Sequence, residues 1–151
     1  MKKLTVLLAC LLLLVTVLVP PVAAEAEPGM VLVLESIEYI DADTYYIERI
    51  YVPEVSTCAN TKSGTKTSQF VSGGTTIFSV SVTGHFTYDG STATATSATG
   101  SVSTYVAGAT VTSRNAYVSG ASAIASASVS YGGITLSRTV RLTCSATGTL
   151  S

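Results

Sequence analysis

Along the middle of the chain, apolar and polar side chains alternate with a period of two residues. Phe78, Val80 and Val82 are separated by serines, and Phe86 continues the apolar series. This period is typical of a β-strand that buries one face. The run ends at Asp89-Gly90, a dipeptide that predicts a type I′ hairpin turn, because both central residues of that turn take positive φ.

The same alternation marks a second hairpin nearer the C-terminus. Ala121 to Tyr131 carries apolar side chains at every second position, Gly132-Gly133 supplies a turn, and Ile134 to Cys144 resumes the pattern. Arg138 falls at an apolar position of the last strand, so it either bulges outward or lays its stem at the rim of the core. Short strands with frequent turn signals and no helical period predict an all-β fold, a small antiparallel β-sandwich over residues 70–151.

The segment before this domain is apolar and acidic together. We predict extended segments over Val31–Ile40 and Thr44–Val52, joined by a turn at Asp41-Ala42-Asp43, because Val, Ile and Tyr dominate both. A helix over residues 31–40 is the alternative, since its apolar residues also recur at three-residue spacing. Residues 55–69 contain hardly any apolar side chain, which predicts a polar linker between the acidic N-terminal arm and the domain.

The N-terminus has the pattern of an export signal. Two lysines precede an apolar run from Leu4 to Val19, and the small residues Val22-Ala23-Ala24 follow. This pattern predicts a signal peptide over residues 1–24 that is cleaved near Ala24, so that the mature protein is secreted and has no membrane span. An uncleaved anchor and a lipid attached to Cys10 are the alternatives.

Charge divides the mature chain into two parts. Residues 25–54 hold eight carboxylates and one base, Arg49, for a net charge of −7, whereas residues 55–151 hold five bases and Asp89, for a net charge of +4. One hypothesis is that the acidic arm docks on the basic domain, as an added edge strand or as a pro-segment. The alternative is an acidic tail that keeps the protein soluble.

Two cysteines, Cys58 and Cys144, remain after the predicted cleavage. An oxidising exterior favours a disulfide between them, and the alternative is two unpaired thiols in the interior. A bridge that closes so long a loop stabilises a fold by about 4.5 kcal/mol in the chain-entropy model. Such a bridge matters here because the later strands are built from small side chains, and each buried methyl contributes only ~0.8 kcal/mol.

Candidate catalytic and ligand-binding groups are sparse. His85 is the single histidine, and a serine or cysteine nucleophile would need it as base with Asp89 as orienting partner, although Asp89 already belongs to the predicted turn. Asp41 and Asp43 lack the downstream Gly and Glu of a calcium loop. We therefore predict a non-enzymatic protein without catalytic, cofactor-binding or metal-binding residues.

The same composition narrows the classes of binding partner. Five bases spread over residues 55–151 form no dense patch and the chain has no Trp, so nucleic acid is not an expected partner. Thr92, Thr94 and Thr96 form a row of hydroxyls that suits a solvated strand face better than an ice-binding surface. Ala121–Tyr131 is uncharged and free of Pro, a composition typical of self-pairing segments, so a fibre subunit is a further hypothesis.

A resemblance to a known family rests on three short segments of the sequence. They are Ser36–Glu48, Gly84–Gly90 with the Ser/Thr run after it, and Leu142–Ser151. In these segments the chain from about Glu35 onward resembles a family of small secreted proteins of Gram-positive bacteria whose function is uncharacterised. The resemblance implies secretion and a β-rich domain. It implies no activity.

One departure from that family concerns the disulfide. Members carry a Cys in the run after the Tyr-Asp-Gly turn, where this chain has Ala93 and Ala95. The usual bridge therefore has no counterpart here. The resemblance implies Cys58 as the substitute partner of Cys144.

The functional prediction is a secreted, non-enzymatic β-sandwich that binds an unknown protein or cell-surface ligand through its exposed strand faces or edges. A toxin-like or bacteriocin-like secreted protein is the alternative, because such proteins are also small and exported. An exported hydrolase is the third hypothesis, and the single unsupported His85 disfavours it.

Overall fold

The computed structural model describes residues 28–54 and 59–151. Over these two ranges the chain forms eight strands and no helix. The predicted signal peptide and Cys58 lie outside the described residues. The strands are β1 (Met30–Tyr39), β2 (Thr44–Pro53), β3 (Thr61–Ser72), β4 (Thr75–Tyr88), β5 (Ala93–Thr104), β6 (Thr110–Ser119), β7 (Ser122–Tyr131) and β8 (Ile134–Thr143).

These strands form two antiparallel sheets, and their stacking confirms the predicted all-β sandwich. The larger sheet has the order β1-β2-β3-β4-β5 and the smaller the order β6-β7-β8. β7 packs across β4 and β5, and β8 packs across β3 and β4. β1 contacts mainly β2, so the β1 side of the larger sheet extends beyond the cover of the smaller sheet.

Alternate side chains from both sheets line one core, as the period of two predicts. Phe78, Val80 and Val82 of β4 are fully buried and share a cluster with Val140 and Leu142 of β8. Full burial of a Val, Leu or Phe side chain contributes about 1.5–3 kcal/mol. Burial of these side chains therefore contributes much of the free energy that stabilises the packing of one sheet on the other.

A glycine permits a close approach of the two sheets. A Cβ added to Gly84 in β4 would lie 2.7 Å from the Ala123 Cβ of β7 and 2.6 Å from the Phe86 ring. The register between β4 and β5 shifts directly after this glycine, between His85 and Phe86. The extra residue of this β-bulge is Thr96 of β5, which has no partner on β4, so the strand that bends beside Gly84 is β5.

The two predicted hairpin turns differ in type. Gly132 and Gly133 have φ of 58° and 80° and join directly paired residues, which fits a two-residue type I′ turn. The type I′ prediction for Asp89-Gly90 is wrong, because only Gly90 has positive φ. The loop is longer than a two-residue turn. Within it, the Asp89 carboxylate accepts hydrogen bonds from the backbone N–H groups of Ser91 and Thr92. An Asp side chain that bonds to the backbone in this way stabilises a local turn of its own.

The acidic segment is built into the larger sheet. β1 and β2 are extended about the Asp41–Asp43 turn, as predicted, and this excludes the helical alternative over residues 31–40. β2 then pairs with β3 from Thr44 to Tyr51, so it is an internal strand. Its Ile50 is fully buried. The segment therefore contributes to the core and does not trail away as an acidic tail.

The predicted polar linker over residues 55–69 is wrong for most of its length, because β3 begins within it and lies between β2 and β4. Its hydroxyls are matched across the strands: Thr65 Oγ1 lies 2.8 Å from Thr83 Oγ1, and Thr67 Oγ1 lies 2.9 Å from Ser81 Oγ. Such cross-strand pairs stabilise neighbouring strands by roughly 0.2–1 kcal/mol each. Polarity alone therefore did not exclude a strand.

The expected row of threonines on β5 is irregular. Thr92 belongs to the turn, whereas Thr96 lies at the register shift between β4 and β5. There its hydroxyl donates to the His85 carbonyl oxygen at 3.1 Å. The bulge breaks the row, so these side chains do not form one flat ladder of hydroxyls.

Candidate interaction surface

β1 is the outer strand of the larger sheet, and nearly its whole length is exposed. Most of its side chains are nevertheless large and apolar; Tyr39 is 67% exposed, and Ile40, just beyond the strand, is 58% exposed. Monomeric soluble proteins seldom leave a contiguous apolar strand uncovered at a sheet edge. The exposed apolar residues of this segment are Val31, Leu32, Val33, Leu34, Ile37, Tyr39 and Ile40.

The regular part of this strand is bounded on both sides. A register shift between Leu32 and Leu34 interrupts its pairing with β2, and the Asp41–Asp43 turn follows at the other end. Natural edge strands often carry bulges that twist them away from further pairing. The stretch free of a bulge is Leu34–Ile40, which we call the β1 edge.

The β1 edge also presents backbone hydrogen-bonding groups. Ile40 N donates to Thr44 O at 2.9 Å, so the backbone of Ile40 faces β2. Successive residues of an antiparallel strand point alternately toward and away from their neighbour. The N–H and C=O groups of Glu35, Ile37 and Tyr39 therefore point away from β2. No strand among the described residues pairs with that side of β1, which leaves a template for another strand.

Arg138 ties the β1–β2 hairpin to the smaller sheet. Its Nη2 donates to Glu48 Oε1 at 2.7 Å and to Glu38 Oε2 at 2.8 Å, and its Nε donates to Ser68 Oγ at 3.0 Å. The guanidinium carbon also lies 3.9 Å from the centre of the Tyr46 ring. One side chain of β8 thus contacts β1, β2 and β3, which places it at the rim of the core, the second of the two predicted positions.

The electrostatics of this cluster follow from partial burial. Burial lowers the pKa of Arg138, but hydrogen bonds and attraction from Glu38 and Glu48 outweigh it, so the pKa is raised overall. Burial raises the pKa of Tyr46, although the nearby positive charge of Arg138 opposes that change. Arg138 therefore stays charged and Tyr46 neutral at physiological pH.

A second arginine neutralises the other carboxylate of the β1 edge. Arg49 of β2 is 8% exposed, and its Nε donates to Glu35 Oε2 at 2.6 Å. Its Nη1 donates to Gln69 Oε1 of β3, also at 2.6 Å. Together with the Glu38–Arg138 pair, this contact means that both carboxylates of the β1 edge already have a cation in the same molecule.

The hypothetical catalytic pair does not form. The Asp89 carboxylate bonds to Thr92 N at 2.7 Å and Ser91 N at 2.8 Å, and these backbone donors lower the pKa of Asp89. His85 is an exposed residue of β4. No hydrogen bond joins the two side chains in the described part of the chain, and Asp89 acts as a turn residue.

The Asp41–Asp43 turn has a similar local structure. Asp41 Oδ1 accepts a hydrogen bond from Asp43 N at 2.9 Å, and this bond is the main reason that the pKa of Asp41 is lowered. Within residues 28–54 and 59–151, no group of three or more His, Cys, Asp or Glu side chains is placed to hold a metal ion. The same residues contain no helix with the length and apolarity to span a bilayer.

Of the two cysteines in the predicted disulfide, the structure describes only Cys144. Cys144 is buried, and burial raises the pKa of its thiol, while Lys62 acts in the opposite direction. Cys58 lies outside the described residues, so the bridge stays a prediction. The chain near it does approach the C-terminal segment: Asn60 O accepts from Tyr88 N at 3.0 Å, and the Tyr88 ring lies directly against Gly148.

A cleft opens on the opposite side of the sandwich, between the edges of β5 and β6. One cavity there, of about 260 Å³, is lined by Val102, Arg114 and Asn115 among others, and an adjoining cavity of about 390 Å³ is lined by Val111 and Arg114. Arg114 forms no ion pair with any described residue. The cleft is open, and its polar lining consists of Arg114, Asn115 and the hydroxyl residues Ser101, Thr112, Ser113 and Ser126.

Comparison with known proteins gives no information on the function of this chain. No protein-family model, curated protein or solved structure matches the chain. The candidate surface therefore rests on the geometry of the described residues.

The two arginine clusters were not predicted as clusters, although the sequence contains a signal for each. Arg138 stands at an apolar position of an alternating strand, and Arg49 is the single base among eight carboxylates of the acidic segment. A partly buried cation requires a carboxylate or carbonyl partner. The partners of Arg138 come from strands distant in sequence, so the pattern along the chain could not identify them. Glu35 lies opposite Arg49 in the β1–β2 hairpin, so the predicted turn at Asp41–Asp43 already held the signal for that pair.

Proposed function

We propose that this protein is an exported, non-enzymatic binding module and that the β1 edge is its contact surface. The observation that carries the proposal is the combination of exposed apolar side chains and open backbone groups on one strand. Edges of this kind bind extended segments by adding a strand, in which main-chain hydrogen bonds give affinity and alternate side chains give specificity. The N-terminal pattern of residues 1–24 supports export.

The neutralised carboxylates of the β1 edge strengthen this argument. Charged side chains are a common means of keeping a sheet edge from pairing. Here Glu35 and Glu38 are held by Arg49 and Arg138, so their charges oppose an incoming strand less than free carboxylates would. The β1 edge is therefore acidic in composition, but its carboxylates are paired with cations and so repel an incoming strand less.

The test has an export arm and a binding arm. The full chain is expressed in a Gram-positive bacterium, and the species in the medium is measured by intact mass; we expect a product that lacks residues 1–24. Purified protein is then incubated with intact bacterial cells, and the retained fraction is measured for wild type and for Ile37→Lys. Val111→Lys, at an exposed apolar position of the edge strand β6, is the matched control.

We expect Ile37→Lys to lose cell retention and Val111→Lys to keep it. An uncleaved protein that stays inside the cell, or equal retention of all three proteins, contradicts the proposal. Growth inhibition of neighbouring bacteria by the purified protein would instead support the toxin-like alternative.

A further inference from the structure

We infer that the partner of the β1 edge is the β1 edge of a second copy, so that two larger sheets join into one continuous antiparallel sheet. This inference rests on the proposed function and names the occupant of its contact surface. Closed two-fold symmetry is the commonest arrangement of soluble oligomers, and it requires a surface that is complementary to itself. The β1 edge meets that requirement in its backbone, its charges and its apolar side chains.

The backbone and the two boundaries of the β1 edge together select a register. The outward N–H and C=O groups belong to Glu35, Ile37 and Tyr39, so an antiparallel partner must place these residues opposite one another. A two-fold axis at Ile37 does so: Ile37 faces its symmetry mate, and Glu35 faces Tyr39 of the second copy. The bulge on one side and the Asp41–Asp43 turn on the other confine the pairing to this centred stretch.

Charge favours the same register. Axes centred on Glu35 or Glu38 would set two carboxylates directly opposite each other, which is destabilising in a sheet. With the axis at Ile37, Glu35 lies opposite Tyr39 and Glu38 lies opposite Ser36, so no two carboxylates face each other. Arg49 and Arg138 also hold these glutamates within their own molecule.

The apolar side chains are complementary in this arrangement as well. Leu34 lies opposite Ile40 of the second copy at both ends, and Ile37 meets its mate at the centre. These side chains are each about half exposed in the single chain, at 48% for Leu34, 47% for Ile37 and 58% for Ile40. Pairing would cover on the order of several hundred Å² per copy, less than the roughly 800 Å² of a standard interface. We therefore expect a reversible dimer that dissociates at about micromolar concentration.

Sedimentation velocity on the mature secreted protein tests this directly. Wild type is expected to shift from monomer to dimer between about 0.1 and 10 μM. Ile37→Pro removes an outward N–H that the single chain does not use, and proline is tolerated at such edge positions. We expect this variant to raise the dissociation constant at least tenfold, with an unchanged far-ultraviolet dichroism spectrum. Val111→Lys, on the edge of the other sheet, keeps the wild-type value.

Cysteine cross-linking tests the register. Under mild oxidation, Ile37→Cys is expected to form a covalent dimer, because residues directly opposite in a ladder lie within the Cα separation that a disulfide spans. Leu34→Cys is the matched control, since Leu34 faces Ile40 and not its own mate. Both variants also carry Cys58→Ser and Cys144→Ala, so that neither native cysteine of the mature chain competes.

The outcomes separate the inference from the proposed function. A protein that stays monomeric at 100 μM, roughly a hundredfold above the expected midpoint, overturns the inference, as does a dimer that Val111→Lys disrupts and Ile37→Pro does not. A monomer whose cell retention still depends on Ile37 would leave the proposed function in place with a foreign strand as partner. A dimer that binds no cells would support the inference and restrict the binding function of the β1 edge to self-association.

Discussion

Replacement of Arg138 by Met tests how the β1–β2 hairpin is fastened to the rest of the sandwich. Met keeps an apolar stem of similar length but has no donor for Glu48 and no positive charge over the Tyr46 ring. The Arg138 side chain is 16% exposed and the Glu48 side chain 22% exposed, so water only partly screens their attraction. The Glu38 side chain is 63% exposed, so its pair with Arg138 is expected to contribute less to stability than the Glu48 pair.

The magnitude follows from these contacts. A hydrogen bond to a charged group contributes about 1.5–3 kcal/mol, and a cation over an aromatic ring contributes about 0.5–2 kcal/mol. Loss of one partner from a fully buried ion pair costs about 3–5 kcal/mol because the other charge is left alone. Here Glu48 keeps Lys66, whose Nζ lies 3.2 Å from Glu48 Oε2. We therefore expect Arg138→Met to lower the free energy of unfolding by about 3 kcal/mol, at the lower end of that range.

Urea unfolding of a double-mutant cycle measures the pairwise contributions. The cycle combines Arg138→Met with Glu48→Gln, and a parallel cycle combines it with Glu38→Gln. We expect a coupling free energy of about 1 kcal/mol for the Glu48 pair and a smaller one, about 0.2–0.5 kcal/mol, for the more exposed Glu38 pair. Arg138→Lys serves as the control that keeps the charge but loses the planar stacking on Tyr46. A larger coupling to Glu38 than to Glu48, or no destabilisation in Arg138→Met, would refute this account of the cluster.

Three further predictions concern packing, pH and the cysteines. Gly84→Ala is expected to destabilise by about 1–3 kcal/mol, because its Cβ would overlap the facing sheet, whereas Gly100→Ala, whose Cβ would sit 3.1 Å from its neighbours, is expected to cost less in the same urea assay. The pKa of Asp89 is lowered in the folded state, so its contribution is present above its unfolded value of 3.8 and is lost as the pH falls through the folded pKa. The difference in melting temperature between wild type and Asp89→Asn should therefore shrink as the pH falls below 3.8 through the folded pKa, and a constant difference would contradict the turn assignment. Intact mass tests the predicted Cys58–Cys144 bridge: we expect the secreted protein to be lighter than the reduced chain by two hydrogen atoms, whereas alkylation of both thiols after unfolding without reductant would exclude it.

The fold class and the main core strands could be predicted from the sequence because burial of one strand face leaves a period of two. Phe78, Val80 and Val82 are fully buried as that period requires. The double-glycine turn was also predictable, since few residues other than glycine take two successive positive φ angles. The first part of β3 could not be predicted in this way, because its Thr65 and Thr67 are matched by hydroxyls of β4 and not by apolar neighbours.

The pattern of apolar and polar residues along the chain was not enough to predict the candidate surface. The sequence by itself determined that residues 31–40 are apolar, acidic and extended, and that an alternating β-domain follows. Only the tertiary structure decided that this strand lies outside the cover of the smaller sheet, and that Arg138 of β8 reaches Glu38. The physical reason is that local alternation records which way side chains point, whereas exposure depends on how far the opposing sheet extends, and an ion pair depends on which distant strands meet.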